Sequence, residues 1–505
     1  MAVSANNRFE WKLTEPGRWE RDIDEVEEFY ASLAKAYEGT GRVFFAITGF
    51  ISFSIPVQPG TPLQEVKKKA EEALKSAWVR LRYDHPTIAS RVQYDPAEQR
   101  YKKIYETFTD DASQHQWADE TFQVVSERIS GLDWCNTDPP VPALPTLFLI
   151  RAPATDDHIF RADLVLRAHH DIIDGMGTLL LFHNLFTLAA EAYGQVNYEL
   201  PQFGDEWSNL SPPLRRAAEI PAALSPELEE DLREILEYNS ALKRGVDIAS
   251  PPFQRHIALP AKHQRVAITL SESKTARLLA KCRRLGLSIT HAYHASIALA
   301  VGTLQERKET ERTLRYISYC LINERHHCKD PYSTSAHPAS VYHSVSGRCL
   351  AIDLTVPALG SPSETPMSEE IFLPVAEHVR DYYLEIRNNE EHIKLVPAYW
   401  AMSILPYPES EPPAIPPRNE NPSASISSMG VLDKVIRHQY GSFSVDNPWV
   451  TGEELGTGLG LFLGTWKGRL TLSAAYNEAW HGREEVLNAL NRCNDIVFQG
   501  LGLGR

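Results

Sequence analysis

The stretch His169-His170-Asp171-Ile172-Ile173-Asp174-Gly175 lies between a predicted strand and a predicted helix. Upstream, the residues from Arg161 to Ala168 alternate polar and apolar types over their first half, which is the period of a half-buried strand. Downstream, the run from Met176 to Ala190 is apolar on nearly every face, as in a helix buried inside a large protein. The stretch is therefore a predicted strand-to-helix turn, whose side chains project where a sheet ends.

Three residues of this turn have side chains or backbone properties that suit a catalytic site. The imidazole of His170, with an ordinary pKa of about 6.5, can accept a proton from an alcohol or amine near neutral pH. Asp174 directly precedes the helix, which predicts an N-cap that accepts a hydrogen bond from a first-turn N–H. Gly175 allows a tight turn without a side chain in the way. Taken singly, each residue is more often structural than catalytic.

The whole string is far more specific than its parts, and it resembles the HHxxxDG signature of the chloramphenicol acetyltransferase-like superfamily. This superfamily includes CoA-dependent acyltransferases and the condensation domains of peptide synthetases. The resemblance implies that His170 is the catalytic base, that His169 is a supporting neighbour, and that Asp174 is a structural residue turned away from the substrate. It also implies an arginine partner for the aspartate. Our candidate is Arg325, at the end of a predicted strand, with a solvated surface arginine as the alternative.

The order of predicted elements extends the resemblance to both halves of the chain. A length of 505 residues exceeds the size at which a single core usually stops growing, so two packed halves are expected. The resemblance implies an α/β (α+β, two-layer) fold in which each half is a mixed sheet covered by helices, with an active-site tunnel between them. We assign residues 1–200 to the first half and 263–505 to the second. Residues 201–262, rich in proline, serine and charge, are assigned to the connection.

A small-residue strand is predicted at 423–430, where the superfamily has a strand that crosses from the second half to the first. The hydroxyl groups of Ser425, Ser427 and Ser428 are candidates for lining the tunnel or stabilising a tetrahedral oxyanion. Which serine does so stays open, and sheet packing is expected for most of them. The string His326-His327-Cys328 lacks a third ligand at the spacing of a metal site, so no metal is expected.

Composition excludes several other classes of function. The formal net charge of −15 argues against a nucleic-acid partner, because phosphate neutralisation needs clustered basic residues. Neither a secretory signal nor an apolar run long enough to span a bilayer is present, so we expect a cytoplasmic protein without a membrane partner. The six cysteines are scattered without metal-site spacing, as in a protein with reduced thiols. We expect a monomer.

Among the branches of the superfamily, the chain looks most similar to the fungal trichothecene 15-O-acetyltransferases. The similarity rests on the opening Trp19-Glu20-Arg21-Asp22-Ile23-Asp24-Glu25 and on a glycine-rich end without the plant-type D-F-G-W-G element. It implies an O-acetyltransferase of secondary metabolism that uses acetyl-CoA, or another acyl-CoA, as co-substrate and has no permanently bound cofactor. His170 would deprotonate a small-molecule alcohol, which then attacks the thioester. A serine-hydrolase G-x-S-x-G elbow is absent.

Three alternatives remain open. The first is a free-standing condensation-type enzyme that forms an ester or amide from a carrier-bound acyl group. The second is a natural-product cyclase or isomerase of the same fold that keeps His170 as its base. The third is a non-catalytic homologue in which the motif only stabilises the turn.

Overall fold

The computed structural model describes residues 6–126, 129–151, 158–254, 259–361, 367–406, 411–412 and 414–504. The helices are α1 (Glu25–Ala36), α2 (Leu63–Asp84), α3 (Asp111–Thr121), α4 (Gly131–Cys135), α5 (Gly175–Gly194), α6 (Leu214–Ala217), α7 (Pro226–Ala241), α8 (Glu272–Arg284), α9 (Ile289–Thr303), α10 (Glu369–Arg387), α11 (His392–Ala401) and α12 (Arg483–Gly500). The strands are β1 (Lys12–Glu15), β2 (Arg18–Asp22), β3 (Ile47–Pro56), β4 (Arg91–Asp95), β5 (Arg100–Glu106), β6 (Phe122–Val125), β7 (Thr146–Arg151), β8 (Ile159–Ala168), β9 (Asp247–Ile248), β10 (His263–Thr269), β11 (Arg312–Ser318), β12 (Leu321–Asn323), β13 (His343–Val345), β14 (Leu350–Val356), β15 (Ala424–Val431), β16 (Gln439–Tyr440), β17 (Phe443–Gly452), β18 (Leu459–Trp466) and β19 (Arg469–Asn477).

A six-stranded mixed sheet of order β16-β17-β3-β8-β7-β6 forms the centre of the first half. Helices α2 and α5 pack against each other and against this sheet, and the core between them is mainly apolar. Ile51, Leu164, Trp78 and Phe186 are all completely buried there. Because β8 lies inside this sheet, the turn that follows it is anchored on both sides by buried hydrocarbon.

A second sheet of order β10-β19-β18-β15 forms the centre of the other half. Helices α8, α9, α10 and α12 cover it, and they enclose a separate buried cluster that includes Leu278, Ala298 and Val497. The alanine-rich sequence of α9 permits its close packing against α10 and α12, since small side chains let helices approach. None of the helices within the described ranges is both long and apolar enough to cross a membrane.

The strand that crosses between the halves is not the one that was predicted. The strand at 423–430 was expected to cross, but β15 pairs in parallel with β18 and stays in the second sheet. Its apolar side chains Ala424 and Ile426 pack into the second core, which explains this placement. The strand that crosses is β17, which pairs antiparallel with β3 and buries Phe443 and Val445 in the first core.

A short hairpin of β12 and β13 connects the second half to the motif. The two strands pair antiparallel, with Asn323 opposite His343. Between them the chain begins with a 3₁₀ turn, Glu324–His327, that is capped by the Asn323 side chain. This turn carries Arg325, which is buried. The hairpin thus positions two charged or titratable side chains, Arg325 and His343, at the boundary of the halves.

Candidate active site

The motif residues occupy the loop between β8 and the first turn of α5. Asp174 is the N-cap of α5, with extended backbone, and its Oδ1 accepts a hydrogen bond of 2.6 Å from the Gly177 amide. Capping fixes the direction in which the helix leaves the sheet. His170 lies within the same loop, so its backbone position is set by the end of β8 on one side and by the cap on the other.

A buried ion pair joins this cap to the second half. Arg325 Nη1 donates to Asp174 Oδ2 at 2.9 Å, and the two side chains are only 5% and 3% exposed. The Tyr342 amide donates to the same oxygen at 2.8 Å, while Arg325 Nη2 donates to Ser340 Oγ at 3.2 Å. Burial raises the pKa of the Asp174 carboxyl, but the charge and hydrogen bond of Arg325 outweigh it and hold this pKa below 3.8. The carboxylate therefore stays ionised, and both its oxygens already have partners.

The two glycines in the first turn of α5, Gly175 and Gly177, differ in how much room surrounds them. Gly175 has ordinary helical backbone, so the turn does not require glycine there, contrary to the sequence expectation. A Cβ at Gly175 would lie 3.2 Å from the flexible Met429 Cε atom. A Cβ at Gly177 would lie 2.1 Å from the Pro338 carbonyl oxygen, which is backbone. Gly177, which the sequence analysis did not single out, is thus the position where the docked halves leave no room for a side chain.

His170 is held against an aromatic side chain rather than against a carboxylate. Its ring stacks on Tyr30 of α1 with 3.8 Å between centroids and 3° between planes. The Tyr30 hydroxyl is hydrogen-bonded to His343 Nε2 at 2.9 Å, and the His343 ring lies 5.2 Å from the His170 ring. Sequence reasoning missed both neighbours. Neither Tyr30 nor His343 belongs to a motif or a spacing that marks it in the sequence.

Burial dominates the electrostatics of His170. Burial, and to a smaller extent the neighbouring His343, together lower the pKa of this imidazole from 6.5 to about 3, against a small opposing effect of Asp174. Nδ1 is buried without a hydrogen-bond partner on any other described residue. The ring is therefore neutral across the physiological pH range, and Nε2 is the nitrogen left to exchange a proton.

A cavity of about 420 Å³ surrounds the imidazole, and both halves contribute to its walls. One wall is aromatic and is formed by Phe29, Tyr30, Phe45, Tyr399 and Trp400. His169 does not line the cavity; its side chain lies near the buried Asp171 instead and opposes the rise that burial causes in the pKa of that carboxyl. The structure thus separates the two adjacent histidines, so that only His170 faces the space where a substrate can bind.

The three candidate serines of β15 all line this cavity, but their hydroxyl groups are engaged differently. Ser428 Oγ is 2.8 Å from Thr290 Oγ, and Ser425 is hydrogen-bonded to the Tyr319 side chain. Ser427 Oγ has only the weak acceptor Met429 Sδ, at 3.8 Å. Of the three hydroxyls, that of Ser427 is the most available to a ligand.

The histidines that follow Arg325 have a third donor nearby that the sequence analysis did not count. Potential ligand atoms of Glu324, His326 and His327 lie within 4.8 Å of one another. The Glu324 carboxylate also accepts a hydrogen bond from Ser344 Oγ and lies 3.3 Å from His392 Nε2. The group therefore forms part of a local ion-pair network at the base of the hairpin.

Comparison with known proteins identifies the family. The family model described as 15-O-acetyltransferase Tri3 matches residues 43–347, more than half of the chain and including the motif. The chain belongs to the Tri3 15-O-acetyltransferase family. It is therefore an acyltransferase.

Individual relatives agree with this family across almost the whole chain. The acetyltransferase pigO of Monascus ruber is 25% identical over 98% of both chains. The O-acetyltransferase pigM of the same fungus is 24% identical over 98% of this chain and 87% of its own length. The solved structure of TRI3 trichothecene 15-O-acetyltransferase from Fusarium sporotrichioides superposes with a TM-score of 0.79 at 18% identity, covering 99% of each chain. A condensation domain of the calcium-dependent antibiotic synthetase superposes with a TM-score of 0.62 at 13% identity, over 96% of this chain and 97% of its own. The predicted fold class is thus confirmed.

Replacing Arg325 by glutamine tests the ion pair on which this Tri3-family site depends. The substitution leaves the Asp174 carboxylate buried without its cation, and breaking such a pair typically costs about 3–5 kcal/mol. We expect a loss of this size in the free energy of unfolding, measured by urea denaturation at pH 7. Since the folded-state pKa of Asp174 is depressed, the contribution of the pair is present above pH ~4 and is lost as the pH falls further.

Arg315→Gln serves as the matched control. Arg315 pairs with Asp353 at 2.7 Å, but both side chains are considerably exposed, so the expected loss is below about 1 kcal/mol. Equal losses for the two variants would contradict the structural role assigned to the buried pair.

Proposed function

We propose that this chain is an acetyl-CoA-dependent O-acetyltransferase that acetylates a hydroxyl group of a small secondary metabolite, with His170 as the general base. The observation that carries the proposal is the neutral, partly exposed imidazole of His170 in a cavity walled by both halves. Membership of an acetyltransferase family supports the same reaction class. We further propose that the enzyme acts as a cytoplasmic monomer without a resident cofactor or metal and without a membrane or nucleic-acid partner.

In the proposed reaction the acetyl group passes directly from the thioester to the acceptor hydroxyl. His170 Nε2 accepts the proton of the acceptor hydroxyl while its oxygen attacks the thioester carbonyl carbon. The new C–O bond gives a tetrahedral oxyanion, and its collapse breaks the C–S bond. The thiolate leaves and takes the proton back from the imidazolium. The base is regenerated, and no acyl group is ever attached to the protein.

The low pKa of His170 requires that proton transfer and attack occur together. A base with a pKa of about 3 cannot hold an alcohol proton by itself, because the alcohol is far less acidic. When the oxyanion forms beside it, however, the imidazolium gains an opposite charge in a water-poor cavity, where the attraction is strong. The stacked Tyr30 ring keeps the imidazole in one orientation for this step, and His343 holds the Tyr30 hydroxyl.

Ser427 is our candidate for stabilising the oxyanion. Its hydroxyl faces the same cavity as His170 and has no strong acceptor of its own. A donor aimed at developing negative charge lowers the barrier more than it strengthens ground-state binding. The hydroxyls of Ser425 and Ser428 already serve Tyr319 and Thr290, so we assign them structural roles.

The shape and polarity of the cavity indicate the kind of acceptor. Its aromatic wall, with Met176, Met402 and Met429 elsewhere in the lining, favours an apolar, ring-containing molecule. Polar side chains that line the cavity, among them Tyr319 and Glu454, can orient it. We therefore propose a hydrophobic polycyclic alcohol as the acceptor class.

The first functional prediction concerns the two adjacent histidines. His170→Ala should lower kcat by roughly 10²–10⁴-fold, which is the usual contribution of a positioned general base. His169→Ala should retain most activity, because this side chain lies outside the cavity. The measurement is release of free CoA thiol from acetyl-CoA with a panel of polycyclic alcohols, and circular dichroism verifies the fold. A folded His170→Ala enzyme with wild-type turnover would rule out the proposed mechanism.

A second prediction separates the three serines. Ser427→Ala should lower kcat by about 10²-fold with little change in KM, since an oxyanion donor acts mainly in the transition state. Ser425→Ala and Ser428→Ala are the matched controls and should cost less than about fivefold by the same reasoning. The assignment fails if steady-state kinetics give all three variants the same kcat, or if Ser427→Ala raises only KM.

A further inference from the structure

Arg265 lies on β10, beside a smaller cavity between the two sheets. This cavity has a volume of about 40 Å³ and is walled by residues of β17, β18 and β19. The guanidinium group stacks on the Trp449 ring, with its central carbon 3.9 Å from the ring centroid. Stacking of this kind fixes the plane of the guanidinium and leaves its N–H groups pointing outward from the edge.

Arg265 is one of the arginines of the described chain that lack a carboxylate partner; the buried Arg82 is another, but it donates to the Glu106 carbonyl oxygen. Arg21, Arg167 and Arg325 each pair with a carboxylate, at 2.7–2.9 Å. Within the described parts of the chain, the Arg265 side chain forms no hydrogen bond or ion pair, and its Nε is buried. Burial lowers the pKa of this guanidinium to about 10, so it is still a cation at neutral pH. A desolvated cation without a counter-charge is unfavourable unless a ligand supplies one.

A second unsatisfied donor lies beside the first. The indole Nε1 of Trp449 is buried and has no acceptor among the described residues. Both side chains line the small cavity, together with Thr471 and Ser473. The stacked pair Arg82 and Trp117 has the same two unpaired nitrogens, so these alone do not indicate a ligand. What distinguishes Arg265 and Trp449 is that both side chains line a cavity, where an acceptor from outside the chain can reach the two donors.

Nearby acids do not fulfil this role. Asp163 accepts hydrogen bonds from the Ser52 hydroxyl and the Gly131 amide. Asp446 accepts a hydrogen bond from the Trp466 indole at 2.8 Å. Within the described ranges neither carboxylate contacts the guanidinium of Arg265, so no acid described there neutralises its charge.

The small cavity adjoins the one that holds His170. Met429, Val450 and Phe462 line both cavities. Met429 and Val450 are also the side chains closest to a Cβ built at Gly175, the first residue of α5. The two cavities therefore lie side by side and share part of their lining.

We propose that Arg265 and Trp449 form a subsite for an oxyanionic group, a carboxylate or a phosphate, carried by one of the two substrates. The proposal rests on the proposed acetyl transfer, because it assumes that both substrates enter the adjoining cavity. The guanidinium provides charge and paired N–H donors, which suit the two oxygens of a carboxylate or phosphate. The indole N–H adds a third donor. A phosphate would belong to coenzyme A, and a carboxylate would belong to the acceptor.

Calorimetric titration of the full chain distinguishes these sources. The probes are coenzyme A, 3′-dephospho-coenzyme A and benzoate, and the proteins are the wild type, Arg265→Gln and Arg265→Lys. We expect Arg265→Gln to weaken at least one probe by roughly tenfold or more, as loss of a charge-assisted contact does. Arg265→Lys should retain part of the affinity. Loss of the preference for coenzyme A over its dephospho form indicates a phosphate, and loss of benzoate binding indicates a carboxylate.

A surface variant and a melting-temperature measurement serve as controls for the titration. Arg283→Gln, an exposed substitution on α8 with the same change of charge, should leave all affinities unchanged. Arg265→Gln should melt at or above the wild-type temperature, because it removes an unpaired buried cation. Wild-type affinity of Arg265→Gln for all three probes would overturn the subsite, even if the enzyme turns over acetyl-CoA. Conversely, absent turnover by the wild type would refute the proposed function, whereas a weakened probe would still support the subsite.

Discussion

The buried ion pair between Asp174 and Arg325 is the interaction on which the rest of the site depends. It joins the N-terminus of α5, in the first half, to the 3₁₀ turn that follows β12, in the second. It also uses the Asp174 carboxylate, whose charge acts on the His170 imidazole. Because both oxygens of Asp174 already have partners, this carboxylate does not pair with His170, and burial, with a smaller contribution from His343, keeps the imidazole neutral. The ion pair between Asp174 and Arg325 thus affects the protonation state of the neighbouring His170.

The hairpin of β12 and β13 links two further features of the site. β12 leads into the turn that carries Arg325, while β13 begins with His343, which holds the hydroxyl of Tyr30. Orientation of the imidazole, through the stacked Tyr30 ring, and closure of the cavity therefore both depend on docking of the halves. The pairing of β17 with β3 stabilises that docking through main-chain hydrogen bonds and buried side chains. The site exists only when the halves are together.

The site residues that could be predicted from the sequence belong to a recognisable motif or were implied by its family. The superfamily motif marked His170 and Asp174, which stand four residues apart in one turn, and the same resemblance made Arg325, at the end of a predicted strand, the candidate partner of Asp174. Tyr30, His343 and Arg265 could not be found in this way, because their roles come from contacts between segments more than 100 residues apart. The region from 106 to 145 contains α3, β6 and α4 although its sequence shows little periodicity. There, capping by Asp110 and tertiary packing of Trp117 outweigh the weak local pattern. The crossover strand was wrongly predicted at 423–430, because the small residues of that segment can pack in either sheet.

The protonation state of His170 in the resting enzyme tests the central claim most directly. ¹⁵N NMR of histidine-labelled protein, with the His170 signals assigned by difference from a His170→Ala sample, reports the charge of the ring at each pH. Burial in the cavity predicts a neutral imidazole at every pH from about 5 to 8, with protonation only well below the ordinary value. A ring that titrates near pH 6.5, or is already charged at pH 7, would contradict the account.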